Sequence, residues 1–134
     1  MYLLDTNVVI TIMNGRSRLL SERLKAEMRF GSAILVSTIV LFELRYGIAK
    51  SIHGEKSRMA LNQFLEGRLS IVPFEAEDAE QAGQIRAHLY GQGTPIGPYD
   101  LLIAAQACRH HATLVTGNQR EFDRVPGLNI ADWR

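Results

Sequence analysis

Three acidic side chains stand in apolar segments, where a carboxylate needs compensation. Asp5 follows an apolar run at the start of the chain, Glu43 lies within the apolar residues 39–44, and Asp100 precedes the apolar run 101–105. An unpaired carboxylate in such surroundings costs several kcal/mol or shifts its pKa until it is neutral. A bound cation is one compensation, and hard oxygen donors favour Mg²⁺ or Mn²⁺. The matching chemistry is metal-assisted hydrolysis of a phosphodiester.

Each of these acids also has an ordinary structural interpretation, which the sequence leaves open. Asp5 could cap a helix that follows a strand. Asp100 could interact with the dipole of a helix whose first turn it occupies. Glu43 could pair with Arg45 or another arginine. All three being merely structural is the less favoured interpretation.

Alternating short strands and helices predict one α/β domain over residues 1–134. Apolar runs that end in turn residues predict five strands, at residues 2–4, 33–36, 69–74, 113–116 and 128–131. Helical periodicity and capping residues predict helices at residues 8–13, 17–30, 39–50, 56–66, 75–90, 99–110 and about 119–122. This alternation favours a three-layer α/β/α fold with a five-stranded, mostly parallel sheet.

The predicted topology brings the three acids to one edge of the sheet. Asp5 ends the first strand, Glu43 lies early in the helix after the second strand, and Asp100 opens the helix that leads back to the fourth strand. Asn118, just beyond the fourth strand, reaches the same edge. Ligands of open α/β sheets bind at this carboxyl edge, so we expect an oxygen-rich metal site there.

Composition narrows the classes of protein. The net charge is +1, from 15 Lys and Arg against 14 Asp and Glu, so bulk charge gives no argument for a nucleic-acid partner. Cys108 is the only cysteine, which excludes an internal disulfide framework and a multi-cysteine zinc site. The absence of a signal-peptide pattern and of a membrane-length apolar run leads us to expect a cytoplasmic protein without membrane association.

Four short motifs occur in the order found in one nuclease family. They are Leu4-Asp5-Thr6-Asn7, Ser37-x5-Glu43-Leu44-x2-Gly47, Gly97-x2-Asp100-x2-Ile103-Ala104-Ala105 and Thr116-x-Asn118-x2-Glu121-Phe122. With these motifs the chain resembles the PIN-domain ribonucleases and, more narrowly, the VapC toxins of bacterial toxin–antitoxin pairs. The tail from Arg124 to Leu128, with Asp132-Trp133, is similar to VapC chains of the enteric kind. The resemblance covers nearly the whole chain.

The resemblance implies a PIN-like fold, RNA cleavage that depends on Mg²⁺ or Mn²⁺, a homodimer, and inhibition by a cognate VapB-type antitoxin. Asp5, Glu43 and Asp100 occupy the acidic positions of the family and are the implied metal ligands. Asn118 stands where many PIN domains have a fourth acid, and Glu121, one helical turn on, could supply the missing charge. The implied substrate is RNA, with initiator tRNA, cut in its anticodon loop, as the hypothesis from the enteric relatives.

Further side chains are predicted to support the site or to contact RNA. Thr6 and Asn7 are expected to fix Asp5 through hydrogen bonds, and Thr116 to orient a water or a carboxylate. The candidates for RNA contact are Arg86, Arg120, Tyr99 and Tyr46. The tyrosines could instead pack in the core, and the arginines could belong to a solvated surface. Two other functions stay open, namely a catalytically silent PIN-like binding module and a phosphatase or nuclease that acts on DNA.

Overall fold

The computed structural model describes residues 1–134 and contains five strands and seven helices. The strands are β1 (Tyr2–Leu4), β2 (Ile34–Ser37), β3 (Ser70–Val72), β4 (Thr113–Val115) and β5 (Asn129–Ala131). The helices are α1 (Thr6–Met13), α2 (Arg18–Phe30), α3 (Thr38–Lys50), α4 (Gly54–Leu65), α5 (Ala76–Gly91), α6 (Pro98–Arg109) and α7 (Gln119–Phe122).

The five strands form one sheet in the order β3-β2-β1-β4-β5, and every neighbouring pair is parallel. The predicted α/β class and strand number are confirmed, and the sheet is wholly rather than mostly parallel. From β1 the chain builds outward to β2 and β3 on one side, then returns to place β4 and β5 on the other. The strand order therefore reverses between β1 and β4, and such a reversal opens a crevice at the carboxyl edge.

Helices cover both faces of this sheet. Successive residues point to opposite faces of a strand, yet Leu3 and Leu4 of β1 are both fully buried, and all four residues of β2 are buried.

Two strands end at other residues than the sequence predicts. β3 is shorter than predicted and ends before Pro73, which has no N–H to donate to a neighbouring strand. β2 extends to Ser37, whose hydroxyl also caps α3 by accepting from the backbone of Ile39 at 2.9 Å.

Local sequence sets the ends of the helices that matter for the sheet edge. Ser17 caps α2 by accepting from the backbone of Leu20 at 3.2 Å, and Gly31 ends it with a left-handed φ of 91°. Pro98 occupies the first turn of α6, where its missing N–H has no cost. None of the seven helices is both long enough and apolar enough to cross a lipid bilayer.

The start of α5 holds a buried ion pair that the sequence did not reveal. Asp78 is fully buried, completes a capping box with Glu75, and pairs with Arg109 at the end of α6. Burial alone would raise the pKa of Asp78, but the hydrogen bonds from Arg109 and from the backbone of Glu75 outweigh it and hold that pKa below its usual value. The pair joins α5 and α6, so it fixes the helix that carries Asp100.

Candidate active site

Asp5 lies at the crevice between β1 and β4. It ends the central strand, caps α1, and is 4% exposed. Its Oδ1 accepts from the backbone N–H of Thr6 at 2.8 Å, and its Oδ2 accepts from the hydroxyl of Thr116 at 2.8 Å. Burial raises the pKa of Asp5, and these two hydrogen bonds oppose the rise. The carboxylate is therefore held in one orientation across the two strands where the order reverses.

Thr6 connects Asp5 to Glu43. The hydroxyl of Thr6 donates to Oε1 of Glu43 at 2.7 Å, and the backbone N–H of Thr6 donates to Asp5. The sequence analysis expected both Thr6 and Asn7 to fix Asp5. Asn7 instead is exposed, forms no hydrogen bond with Asp5, and uses its carbonyl to accept from Thr11 at 2.8 Å. Asn7 lies at the wall of a groove that also contains Glu43.

Asp100 lies in the first turn of α6, against the other carboxylates. Its pKa is raised from 3.8 to about 6, first by burial and then by the negative charges of Asp5, Glu121 and Glu43. These three charges come from β1, α7 and α3, so the topology brings together side chains from four separate parts of the chain. We call Asp5, Glu43, Asp100 and Glu121 the carboxylate cluster.

The fourth member of the cluster is positioned by Asn118. The Nδ2 of Asn118 donates to Oε2 of Glu121 at 3.0 Å, and its backbone N–H donates to the hydroxyl of Thr116 at 2.9 Å. Thr116 is 1% exposed and in turn donates to Asp5. A chain of hydrogen bonds thus links Asp5 to Glu121, with Asn118 holding a carboxylate rather than replacing one.

The cluster has no basic partner. None of its four carboxylates takes part in any of the ion pairs, which lie elsewhere on the chain. The carboxylates are near enough to repel one another, yet no three acidic, His or Cys side chains converge into a ready metal-binding group. A cation here would therefore reach part of the cluster through water, as Mg²⁺ commonly does in proteins.

A groove of about 540 Å³ leads away from the cluster between α1 and α3. Glu43 and Tyr99 lie at its walls, and the ring of Tyr99 packs against Phe42 with a centroid distance of 5.4 Å. Tyr46 is 59% exposed, and the ammonium of Lys50 lies 4.8 Å from its ring centroid. Tyr46 and Tyr99 are thus surface aromatics of this groove and not core residues.

The two arginines predicted to contact RNA lie outside the groove. Arg86 is exposed on α5, where its guanidinium lies 5.3 Å from the ring centroid of Tyr90. Arg120 is exposed on α7, beside Glu121 in the chain, and forms no ion pair. The structure brings neither guanidinium into contact with the cluster.

Two further groove residues differ in how far the sequence indicates them. Lys50 is a basic residue close to a predicted site element, and the structure has it in the groove. Phe42 lies one helical turn before Tyr46 on α3, so only the knowledge that this face of α3 meets a ligand would have indicated it. Gln106 has a sequence signal, because it is a polar residue within an apolar helical segment, and the structure shows it fully buried in α6. Its side chain bonds to Ser37 and donates to the carbonyl of Pro73 at 3.2 Å, which ties α6 to the sheet edge.

Comparison with known proteins gives the family. The PIN domain family profile matches residues 2–128. The chain is 38% identical over 132 residues to the tRNA(fMet)-specific endonuclease VapC of Salmonella typhimurium, covering 98% of this chain and 97% of that protein. It is 39% identical over 132 residues to ribonuclease VapC2 of Rickettsia felis, with the same coverage.

Solved structures agree with the sequence relatives. The fold superimposes on the toxin chain of a crystal structure of VapBC2 from Rickettsia felis bound to a promoter DNA fragment, with a TM-score of 0.93 and 38% identity. That match covers 99% of this chain and 98% of the other. The carboxylate cluster, the parallel sheet and the full-length relatives lead to one conclusion: the chain belongs to the PIN-domain family, in its VapC branch.

Proposed function

We propose that this protein is a metal-dependent endoribonuclease, the toxin of a VapBC-type toxin–antitoxin pair. The observation that carries the proposal is the carboxylate cluster, four acids without a basic partner at the carboxyl edge of a parallel sheet. Charges that destabilise one another in the free protein are retained where a bound cation needs them. The full-length VapC relatives support RNA as the substrate.

The residues of the cluster fit a hard divalent cation such as Mg²⁺ or Mn²⁺. All the donors are carboxylate oxygens, and burial together with the charges of Asp5, Glu121 and Glu43 raises the pKa of Asp100. Asp5, Glu43 and Asp100 are the residues that would hold the ion. When bound, the ion would supply polarisation of a phosphoryl oxygen and lower the pKa of a bound water.

The other residues of the site orient these ligands. Thr116 and the backbone of Thr6 hold both oxygens of Asp5, and the hydroxyl of Thr6 holds Oε1 of Glu43. Such support fixes ligand geometry before the substrate arrives. Asn118 holds Glu121 at the border of the cluster, so we assign Glu121 as its fourth charge and Asn118 as a positioning residue.

The VapC relatives extend the proposal to the biological setting. One relative is named a tRNA(fMet)-specific endonuclease, so we assign initiator tRNA as the substrate. Following the resemblance to the enteric VapC toxins, we propose that the cut lies in the anticodon loop and that it inhibits translation. The structural neighbours are toxin–antitoxin complexes, so we assign a VapB-type antitoxin as the partner that neutralises the protein. We further propose that the protein is a homodimer and that it resides in the cytoplasm.

The test is cleavage by the chain purified free of antitoxin. The protein is incubated with total tRNA and rRNA, with Mg²⁺ or Mn²⁺ or with a chelator, and the new RNA ends are sequenced. We expect cuts at one site of initiator tRNA that need the metal and disappear in Asp5→Asn. Asp123→Asn removes the same charge from an exposed position on the end of α7 and is expected to leave the cuts unchanged.

The outcomes separate the alternatives. Cutting of other RNA molecules would support the ribonuclease activity but refute initiator tRNA as the substrate. Cutting of DNA alone would refute RNA as the substrate class. Absence of cutting by a folded, metal-supplied protein would refute the enzyme and favour a silent binding module. Retained metal-dependent cutting by Asp5→Asn would refute the assignment of the cluster.

A further inference from the structure

The groove between α1 and α3 runs from the carboxylate cluster towards a basic cavity. On α1 its wall is formed by Thr6, Asn7 and Ile10, and on α3 by Glu43, Tyr46 and Lys50 among others. Both helices begin at the carboxyl edge of the sheet, so these residues are ordered from the cluster outward. The charge changes sign along the groove, from Glu43 at one end to Lys50 at the other.

One helical turn further along α1 lies a second cavity, of about 490 Å³. It is lined by Met13 and Asn14 at the end of α1, by Arg16 beyond them, and by residues at the start of α4. The latter are His53, Lys56, Ser57 and Ala60. We call Arg16, His53 and Lys56 the basic pocket.

The basic pocket has no acidic partner within the chain. Arg16, His53 and Lys56 are exposed and form no ion pair, and the neighbouring Glu55 is engaged by Arg58. Arg16 and Lys56 are cations on one concave surface that has no carboxylate, so they repel one another, and an anion in the cavity would relieve that repulsion. Arginine and lysine with a nearby hydroxyl, here that of Ser57, are common donors to phosphate oxygens.

We infer that the basic pocket binds a backbone phosphate of the RNA strand whose scissile phosphate lies at the carboxylate cluster. This inference rests on the proposed nuclease function. The strand would follow the α1–α3 groove, with unpaired bases against the exposed rings of Tyr46 and Tyr99 and with Lys50 facing the backbone. The pocket sets the register of the strand and contributes affinity that does not depend on base sequence.

The length of the groove suits this occupant. Thr6 and Met13 are seven residues apart on α1, which corresponds to about 10 Å of helix. A stacked strand rises about 3.4 Å per nucleotide, so the pocket lies about three nucleotides from the cluster. RNA is favoured over an acidic peptide because the pocket lies one helical turn along α1 from the groove that begins at the proposed phosphodiester-cleaving edge.

The test measures RNA binding without cleavage. Fluorescence anisotropy of a labelled, mixed-sequence single-stranded RNA is titrated with the antitoxin-free protein in chelator, over a series of salt concentrations. For Arg16→Gln/Lys56→Gln we expect the Kd to rise about tenfold. We also expect the slope of log K against log salt to fall by about 0.7, because the pocket contacts one phosphate and each phosphate contact on a single strand contributes about 0.7.

A second basic surface provides the matched control. Lys25→Gln/Arg29→Gln removes the same charge from the cavity that these residues line with Met28 and Arg68. We expect this variant to bind RNA within about twofold of the parent, and both variants to keep the parent's melting temperature and circular dichroism.

Each outcome decides a separate question. Equal losses in the two double variants would show general electrostatic attraction and overturn the pocket. An unchanged Kd and salt slope for Arg16→Gln/Lys56→Gln would overturn the pocket while leaving the nuclease assignment intact. A parent protein that binds no RNA in chelator would overturn the pocket, whereas the nuclease is tested separately by the metal-supplied cleavage assay.

Discussion

The Asp100→Asn substitution is expected to stabilise the metal-free protein at neutral pH while abolishing metal-dependent cleavage. It removes a carboxylate that burial and the charges of Asp5, Glu121 and Glu43 destabilise. A rise in pKa from 3.8 to about 6 corresponds to about 3 kcal/mol at 1.36 kcal/mol per pH unit. Solvent screening of the partly exposed side chain and its favourable place in the first turn of α6 reduce this gain to about 1–2 kcal/mol.

The pH dependence of this gain follows from linkage. The pKa of Asp100 is higher in the folded chain than the reference value of 3.8, so the folded chain holds the proton more tightly between pH 3.8 and about 6. The parent protein therefore loses stability as the pH rises through that window. The variant lacks the titrating group, so its advantage is complete above about pH 6 and absent below about pH 4.

Thermal unfolding followed by circular dichroism measures the effect. Parent, Asp100→Asn and Asp123→Asn are compared in chelator, at one protein concentration, near pH 7 and near pH 4. Near pH 7 we expect the melting temperature of Asp100→Asn to rise by about 3–8 °C, and that of the exposed-site control to stay within about 1 °C. Adding Mg²⁺ should then stabilise the parent more than Asp100→Asn, because the variant has lost a ligand.

Two results would refute the reasoning. A lower melting temperature for Asp100→Asn near pH 7 would show that the carboxylate is stabilised by its surroundings. A gain of equal size near pH 4 and near pH 7 would show that the effect is not electrostatic.

Three further substitutions probe the elements that hold the site. Thr116→Val should cost about 1–2 kcal/mol in urea unfolding, since it leaves buried Asp5 without one of its donors, and an unchanged midpoint would contradict this. Arg109→Leu should lower the free energy of unfolding by about 3 kcal/mol and weaken its dependence on pH in the acid range. The reason is that the lowered pKa of Asp78 stabilises the parent above the unfolded-state pKa, and this stability is lost as the pH falls. An unchanged pH dependence of unfolding would refute this reasoning. Phe122→Ala should cost about 3–5 kcal/mol in calorimetry, because Phe122 is fully buried, and a loss below 1 kcal/mol would contradict that packing.

Much of the site could be predicted because its signals are local. Asp5, Glu43 and Asp100 each stand in apolar surroundings within a few residues, and the strand–helix alternation then places all three at one edge. The charges that raise the pKa of Asp100 show that these side chains do lie together in the structure. Short-range pattern and simple topology were therefore sufficient for the centre of the cluster.

The rest depends on contacts between residues far apart in the chain. Asp78 looked like one of several acids at a helix start, and its burial follows only from Arg109, 31 residues further on. The sequence left the role of Asn118 open, because its side chain could bind a metal or donate a hydrogen bond. In the structure its Nδ2 donates to Glu121, 3 residues further on. The predicted hydrogen bond between Asn7 and Asp5 is absent, because the donors to Asp5 are Thr6 and Thr116. The direction of a side chain at a helix start depends on where the first turn begins.

The link between Asp5 and Thr116 spans 111 residues, and it has a consequence for biosynthesis. β1 is made first, but its partner β4 and the helix that carries Glu121 are among the last parts of the chain to leave the ribosome. Domains acquire structure as their chain emerges, and non-local pairings form last. A nascent copy of this protein therefore carries Asp5 and Glu43 for most of its synthesis without a completed cluster. The carboxylate cluster is therefore complete only when translation is nearly finished.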